Sequence, residues 1–258
     1  MGAGVYPADV AIPSLPPARY LLRRIDGRLE RAIVPDATGM ASRLLEALLT
    51  GRDGATVEPV SLPLAVHDRL LALVYCAELG DGVKARARCR SCGDSFELSF
   101  SLPDLLASQD EAAAAIGLPG PDGRWTTDSD RRLRPPTLAD AGAGAAEDLL
   151  ARIADGPVAP DEAETLSDFL ERASPLLSLD IDTSCPACGE RQAVWFDLPR
   201  FLLDAIAAER PFLIRETHLV AARYGWSHDE IMALEREERR AFAALIESER
   251  SAALRRAS

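Results

Sequence analysis

The sequence predicts an α+β protein, mostly helical, in which a small four-cysteine zinc ribbon is split by a helical insertion and followed by a C-terminal helical segment. Three observations predict it. Aromatic residues make up only 5% of the chain while Ala, Leu and Arg are abundant, a composition suited to helices. Two C-x-x-C-G sequences, Cys89–Gly93 and Cys185–Gly189, are each flanked by short alternating segments. These two regions match without gaps at one fixed offset, 185 − 89 = 96.

Composition sets the outer limits. An apolar fraction of 47% over 258 residues is enough to bury a sizeable core. No apolar run reaches the roughly 18 residues of a membrane span. The stretch from Met1 to Pro17 lacks a basic-then-apolar export signal, so a cytoplasmic protein is expected. Thiols stay reduced in that compartment, which favours metal over disulfide for paired cysteines. A net charge of −12 argues against broad nucleic-acid binding. Between Asp104 and Asp180 lie 16 acidic and 6 basic residues, so nearly all the imbalance sits between the cysteine pairs.

Residues 1–58 read as an N-terminal extension with a helix. A short element begins at Arg19, and the helix after it carries Leu44, Leu45, Leu48 and Leu49 on one face, ending near Gly51 and Gly54. Residues 59–106 hold a helix from about Ala65 to Leu79, closed by Gly80-Asp81-Gly82, and the first knuckle. There Val83, Ala85 and Ala87 alternate into the cysteines, Phe96, Leu98 and Phe100 alternate out, and Pro103 suits the first turn of the next helix.

Residues 107–178 read as an acidic helical insertion, its first helix running from near Asp104 to Ile116. Next come an extended piece at Arg131–Arg134, Thr137 as a helix N-cap with Asp140 near the dipole, and a Gly/Ala linker. Helices near Ala145–Ala154 and Asp161–Ala173 complete it. Residues 179–202 repeat the first knuckle: Leu179, Ile181 and Thr183 lead in, Val194 and Phe196 lead out, and Leu198, Pro199 and Leu202 match Leu102, Pro103 and Leu106. Residues 203–258 are helical, with one helix ending near Glu209, a restart at Pro211 and a stop at Gly225. Ser227 and Glu230 form a capping box that opens a last helix to about Ala253. Ile231, Leu234, Phe242, Leu245 and Ile246 mark its inner side, and its Glu and Arg residues read as a solvated face.

One knuckle supplies two ligands and leaves a metal open, whereas two complete a tetrahedral four-thiolate site. Cys89, Cys92, Cys185 and Cys188 are therefore expected to hold one structural Zn2+. A redox C-x-x-C is expected once, beside a βαβ pattern that is missing here, and disulfides need an oxidising compartment. A catalytic zinc keeps an open position. Four thiolates in a tetrahedron also hold iron. Cys76, in the apolar run Leu70–Leu79, reads as a buried core thiol.

The string His218 to Ser227 (HLVAARYGWS), followed by Glu230-Ile231-Met232-Ala233-Leu234, resembles the C-terminal region of the baseplate-hub assembly chaperone family of contractile-tailed phages and related contractile injection systems. The likeness extends to Leu62-Pro63-Leu64 with Asp68, to both knuckles and to Arg134-Pro135-Pro136-Thr137, covering roughly Pro59 to the C-terminus. Pro211 departs from the continuous helix expected there. The resemblance implies a non-enzymatic assembly factor whose partners are baseplate hub, spike or tape-measure proteins, and it carries over no catalytic residue.

Tyr224 and Trp226 are candidate partner-binding residues, since such aromatics are enriched in binding hot spots; the simpler reading is a plug between two helices. His218 reads as a core or half-buried histidine, and His67 and His228 have no partner at ligand spacing. No nucleophile–base pair, phosphate loop or paired-carboxylate motif stands out. Lys84, Arg86, Arg88 and Arg90 put four cations beside the first knuckle, a surface suited to protein docking or to the acidic insertion. The leading function is thus an assembly chaperone or adaptor; the alternative is a zinc-ribbon nucleic-acid-binding regulator, with a metal hydrolase least supported.

Overall fold

The computed structural model describes residues 4–51, 55–140 and 146–257. It is an α+β fold with about half of its residues in helices and four small antiparallel sheets. The largest sheet is N-terminal, where the sequence led us to expect no strand pair. Strand β1 (Val5–Val10) pairs with β2 (Ala18–Arg23), which pairs with β3 (Leu49–Gly51). Pro7 hides β1 from sequence reading, because proline cannot donate to a ladder; it is tolerated here on an exposed position of an edge strand. Ala8, Val10, Ile12, Leu15, Leu22 and Ile25 then enter the main core.

Helix α1 (Gly27–Ala32) and α2 (Met40–Leu48) follow, the latter burying Leu44, Leu45 and Leu48. Helix α3 (Leu64–Leu79) is buried along most of its length and ends at Gly80, whose φ of +90° suits glycine. Cys76 is half-buried, packed against the core rather than within it; burial, then the hydrogen bond and negative charge of Asp81, push its thiol up to about 12.

Two hairpins carry the repeat. Strands β4 (Gly82–Arg88) and β5 (Ser95–Ser101) form the first, and helix α4 (Leu102–Ala114) leaves it. The short pair β6 (Trp125–Thr126) and β7 (Arg132–Leu133) and helices α5 (Ala146–Ile153) and α6 (Pro160–Ala173) come next. Strands β8 (Ser178–Ser184) and β9 (Arg191–Asp197) form the second hairpin, and helix α7 (Leu198–Ala208) leaves it. Every strand boundary recurs at the sequence offset, as in 178 − 82 = 96 for the first strand, and so does the helix start, 198 − 102 = 96. So do the caps: Ser101 accepts from the Asp104 amide, and Asp197 from the Arg200 amide.

The segment between the hairpins packs into the same core as the rest, through Trp125, Leu133, Leu150, Ile153, Leu166 and Leu170. Ser14 joins it to the N-terminus: its hydroxyl donates to the Ala173 carbonyl (2.6 Å) and its carbonyl accepts from the Trp125 indole (3.0 Å). Thr137 does not cap a helix among the described residues. It sits in a turn and donates through both its amide and its hydroxyl to Asp140, each at 2.8 Å. The expected linker at 141–145, with Ala145, and the stop at Gly54 lie outside the described residues.

Helix α8 (Arg210–Tyr224) begins with Pro211 in its first turn and ends at Gly225 with φ +70°. The Ser227–Glu230 capping box is present, but the last helix is two helices, α9 (His228–Met232) and α10 (Arg236–Ala257). The break at Ala233–Glu235 is held from outside: the Gly27 amide donates to Leu234 (3.3 Å), the Arg236 amide to Ile25 (3.1 Å), and Asp26 bridges Glu235. A Cβ on Gly27 would stand 3.2 Å from Met232 Cα, a tight contact that only a small shift of the neighbour would relieve. Leu245 is half-exposed, off the inner side formed by Ile231, Leu234 and Ile246. The solvated-face reading also fails for Arg236 and Arg239, both buried on α10, because Arg239 is needed between the buried carboxylates of Glu30 and Glu216.

Candidate metal centre

Each C-x-x-C-G folds as a tight turn between two strands of one hairpin. In the first, the Cys89 amide donates to Asp94 (2.9 Å) and the Gly93 amide returns to Cys89 (3.1 Å). In the second, the Cys185 amide donates to Glu190 and the Gly189 amide to Cys185, both at 2.8 Å. Gly93 and Gly189 have φ of +79° and +76°, the left-handed conformation that side chains resist. The two turns are the same structure, and each presents one buried and one exposed sulfur.

The sequence-predicted ligands Cys89, Cys92, Cys185 and Cys188 all come together, with sulfurs within 4.8 Å of one another. Cys89 Sγ lies 3.6 Å from Cys188 and Cys92 Sγ 3.8 Å from Cys185, across the hairpins. A cation bound tetrahedrally by thiolates at about 2.3 Å sets the sulfurs about 3.8 Å apart. A disulfide needs about 2.05 Å. The spacing therefore fits a metal ion held between the hairpins, and all four cysteines are free thiols.

The electrostatics point the same way. The Cys92 amide, helped by the Ser91 amide and the neighbouring thiols, draws the Cys89 thiol down to about 7 against desolvation. At Cys92 the Asp94 amide favours a thiolate, but desolvation and the thiols of Cys188, Cys89 and Cys185 outweigh it and push the group up to about 12. Four thiolates cannot ionise side by side without a cation to compensate them.

Around the sulfurs, Ala87, Phe96 and Val194 form a small apolar shell. Sequence reading missed Gln192. Its side chain accepts from the Arg90 amide (2.9 Å) and donates to the Arg88 carbonyl (3.3 Å), stapling the second hairpin to the first knuckle. The available signal was its place in the repeat, since Gln192 stands where the first copy has Phe96.

Tyr224 and Trp226 belong to a cluster separate from the cysteines, packing tilted against each other and edge-on against Phe242 of α10, with ring centroids 5.2–5.7 Å apart. His218 faces solvent, against the expectation of a core or half-buried residue, because Leu219 and Val220 take the inner side of α8. His67 is buried between Ser42 (3.3 Å) and Asp68 (3.4 Å), an arrangement the spacing did not reveal. Asp68 is occupied by the Leu177 amide (2.9 Å), so this trio links α2, α3 and the approach to β8.

Among the described residues, Lys84, Arg86, Arg88 and Arg90 form no ion pair with the acidic segment; the Arg88 side chain instead donates to the Gly93 carbonyl. No helix among the described residues is long and apolar enough to cross a membrane. No protein-family model, curated protein or solved structure matches the chain.

Proposed function

We propose that this protein is a non-enzymatic assembly chaperone or adaptor for the baseplate hub of a contractile phage tail or contractile injection system, built on a structural zinc ribbon. The metal part of the reading rests on the cross-hairpin sulfur distances of 3.6 and 3.8 Å. Four thiolates leave no position for substrate or activated water, so the ion serves to join two distant chain segments. Zinc is favoured over iron because closed four-cysteine knuckle pairs are a common structural zinc arrangement.

The assembly part rests on the residues that carry the resemblance, several of which meet in space. The Leu64 amide donates to the Pro136 carbonyl (2.8 Å) and Pro63 bridges Thr137, joining two motifs that are far apart in sequence. Asp68 holds Leu177, and Arg134 makes two 2.8 Å hydrogen bonds to Asp140. Of these contacts, the one through Asp68 supports the base of the second hairpin. Tyr224 and Trp226 remain partly accessible at the helix corner and are the proposed partner contact. The setting is the cytoplasm, where such structures assemble.

Pull-down of tagged protein against purified hub, spike and tape-measure proteins tests the reading. It predicts stable capture of at least one of them, weakened by Trp226→Ala; capture of none contradicts it. The alternative, a zinc-ribbon nucleic-acid-binding regulator, draws only on the cations of β4, and salt-dependent retention on DNA would favour it.

A further inference from the structure

The two hairpins match in boundaries, caps and turns, but the charge on their outer faces is opposite. On the first hairpin Val83, Ala85 and Ala87 turn inward, while Lys84, Arg86 and Arg88 are exposed. Across the ladder these face Ser99, Glu97 and Ser95, also exposed. At the equivalent places on the second hairpin, Lys84 is replaced by Asp180 and Arg86 by Asp182, both exposed. Their cross-strand neighbours are Trp195 and Ala193, while Ser184, at the place of Arg88, faces the exposed Arg191 at the turn end, so the face is acidic at its middle and far end. Trp195 is 62% exposed, a large aromatic face in water beside carboxylates.

Within one chain these faces cannot meet. The inner sides of the hairpins face each other, with Phe100 edge-on to Phe196 at 5.1 Å and the cysteine shell between the turns. The outer faces therefore point apart. Among the described residues, none of Lys84, Arg86, Asp180 and Asp182 has an ion-pair partner.

We propose that the chain associates head to tail with a second copy, the acidic Trp195 face of one copy docking on the basic Arg86 face of the next. The sign reversal puts Asp180 and Asp182 within reach of Lys84 and Arg86 of the neighbour. A guanidinium also stacks well on an indole, and Trp195 offers one. A nucleic acid on the basic face would leave the Trp195 face unexplained, and it would meet Glu97 in the middle of its footprint. Because the two faces differ, the contact is heterologous and a pair of copies keeps one free face of each kind, giving rings or open chains. Seven-residue strands span about 24 Å, so the interface is small and belongs to the weak, salt-sensitive class.

Sedimentation of the full-length protein over a range of concentrations, in 50 and 500 mM salt, tests this directly. We expect the average mass to rise with concentration at low salt and to return to the monomer at high salt. Arg86→Glu alone and Asp182→Lys alone should each weaken association at least tenfold, with unchanged circular dichroism and metal content. An equimolar mixture of the two variants should recover a complex, because the intact acidic face of one meets the intact basic face of the other. A wild type that stays monomeric at low salt, variants that associate like the wild type, or a mixture that remains monomeric would each overturn the proposal. So would a DNA oligonucleotide that binds the wild type, but not Arg86→Glu, more tightly than the wild type binds itself.

Discussion

Asp68 and Leu177, far apart in sequence, are joined by a 2.9 Å hydrogen bond in which the buried Asp68 carboxylate accepts from the Leu177 amide. The Leu177 carbonyl in turn accepts from the Leu198 amide at 2.9 Å, closing the base of the second hairpin. In the first hairpin the equivalent bond runs from the Leu102 amide to Asp81 at 2.9 Å. That hairpin follows α3 directly after Gly80 and Asp81, so its base is positioned by the chain itself. The second hairpin has no such connection, and Asp68 provides it from the side of α3. Both knuckles are therefore referred to one helix.

Replacing Asp68 by Ala strands the buried Leu177 amide. We expect a loss of about 2 kcal/mol, the scale of an unsatisfied buried donor that had a charged partner. Asp68→Asn, which keeps an acceptor, should lose clearly less. Urea midpoints at constant m-value measure both; equal losses for the two variants would show that the amide bond is not the cause.

Arg239 is fully buried between Glu30 and Glu216, with its Nε 2.8 Å from Glu216. Removing one member of a buried ion network leaves uncompensated charge, so Arg239→Met should cost about 3–5 kcal/mol. Substituting Glu30 and Glu216 by Gln in the same chain should recover part of it. No recovery would mean that the loss came from packing.

The Arg134 guanidinium beside Asp140 holds its carboxyl well below the usual carboxylate range, with the amide and hydroxyl of Thr137 adding to the effect against burial. A folded value below the unfolded one gives stability that is full above the unfolded value, roughly 4, and is lost as pH falls below it. Asp140→Asn should cost about 2 kcal/mol at pH 7, by the scale of charged hydrogen bonds. The gap from wild type should narrow as pH drops from 5 to 3. A gap independent of pH would remove the ion pair from the explanation.

What the sequence made legible was what repeats. The offset of 96 located both hairpins, their caps and all four cysteines, because strand alternation, a turn glycine and a helix-starting proline are local signals that reinforce one another. The misses came from distant partners. Pro7 concealed β1, whose edge position is set by β2. The split between α9 and α10 is made by Ile25 and Gly27, and no residue at Ala233–Glu235 announces it. Arg236 and Arg239 looked solvated because their burial depends on carboxylates from α1 and α8 and on the N-cap region of α8.

Gln192 tests how far the site depends on its surroundings. Gln192→Ala removes both bonds that tie the second hairpin to Arg88 and Arg90 beside Cys89. Metal stoichiometry should stay the same while affinity falls roughly tenfold, as is usual when the support of a ligand is removed. Competition with a chromophoric chelator reads this out, and unchanged affinity would reduce Gln192 to a surface contact.

We propose that two cysteine pairs from distant parts of the chain hold one ion. Native mass spectrometry of the wild type and of Cys185→Ser, each before and after a strong chelator, tests it most directly. One zinc per wild-type chain is expected and none retained by Cys185→Ser, with the two hairpins no longer joined. An absence of metal in the wild type, two ions bound independently, or a Cys185→Ser chain that keeps its zinc would contradict it.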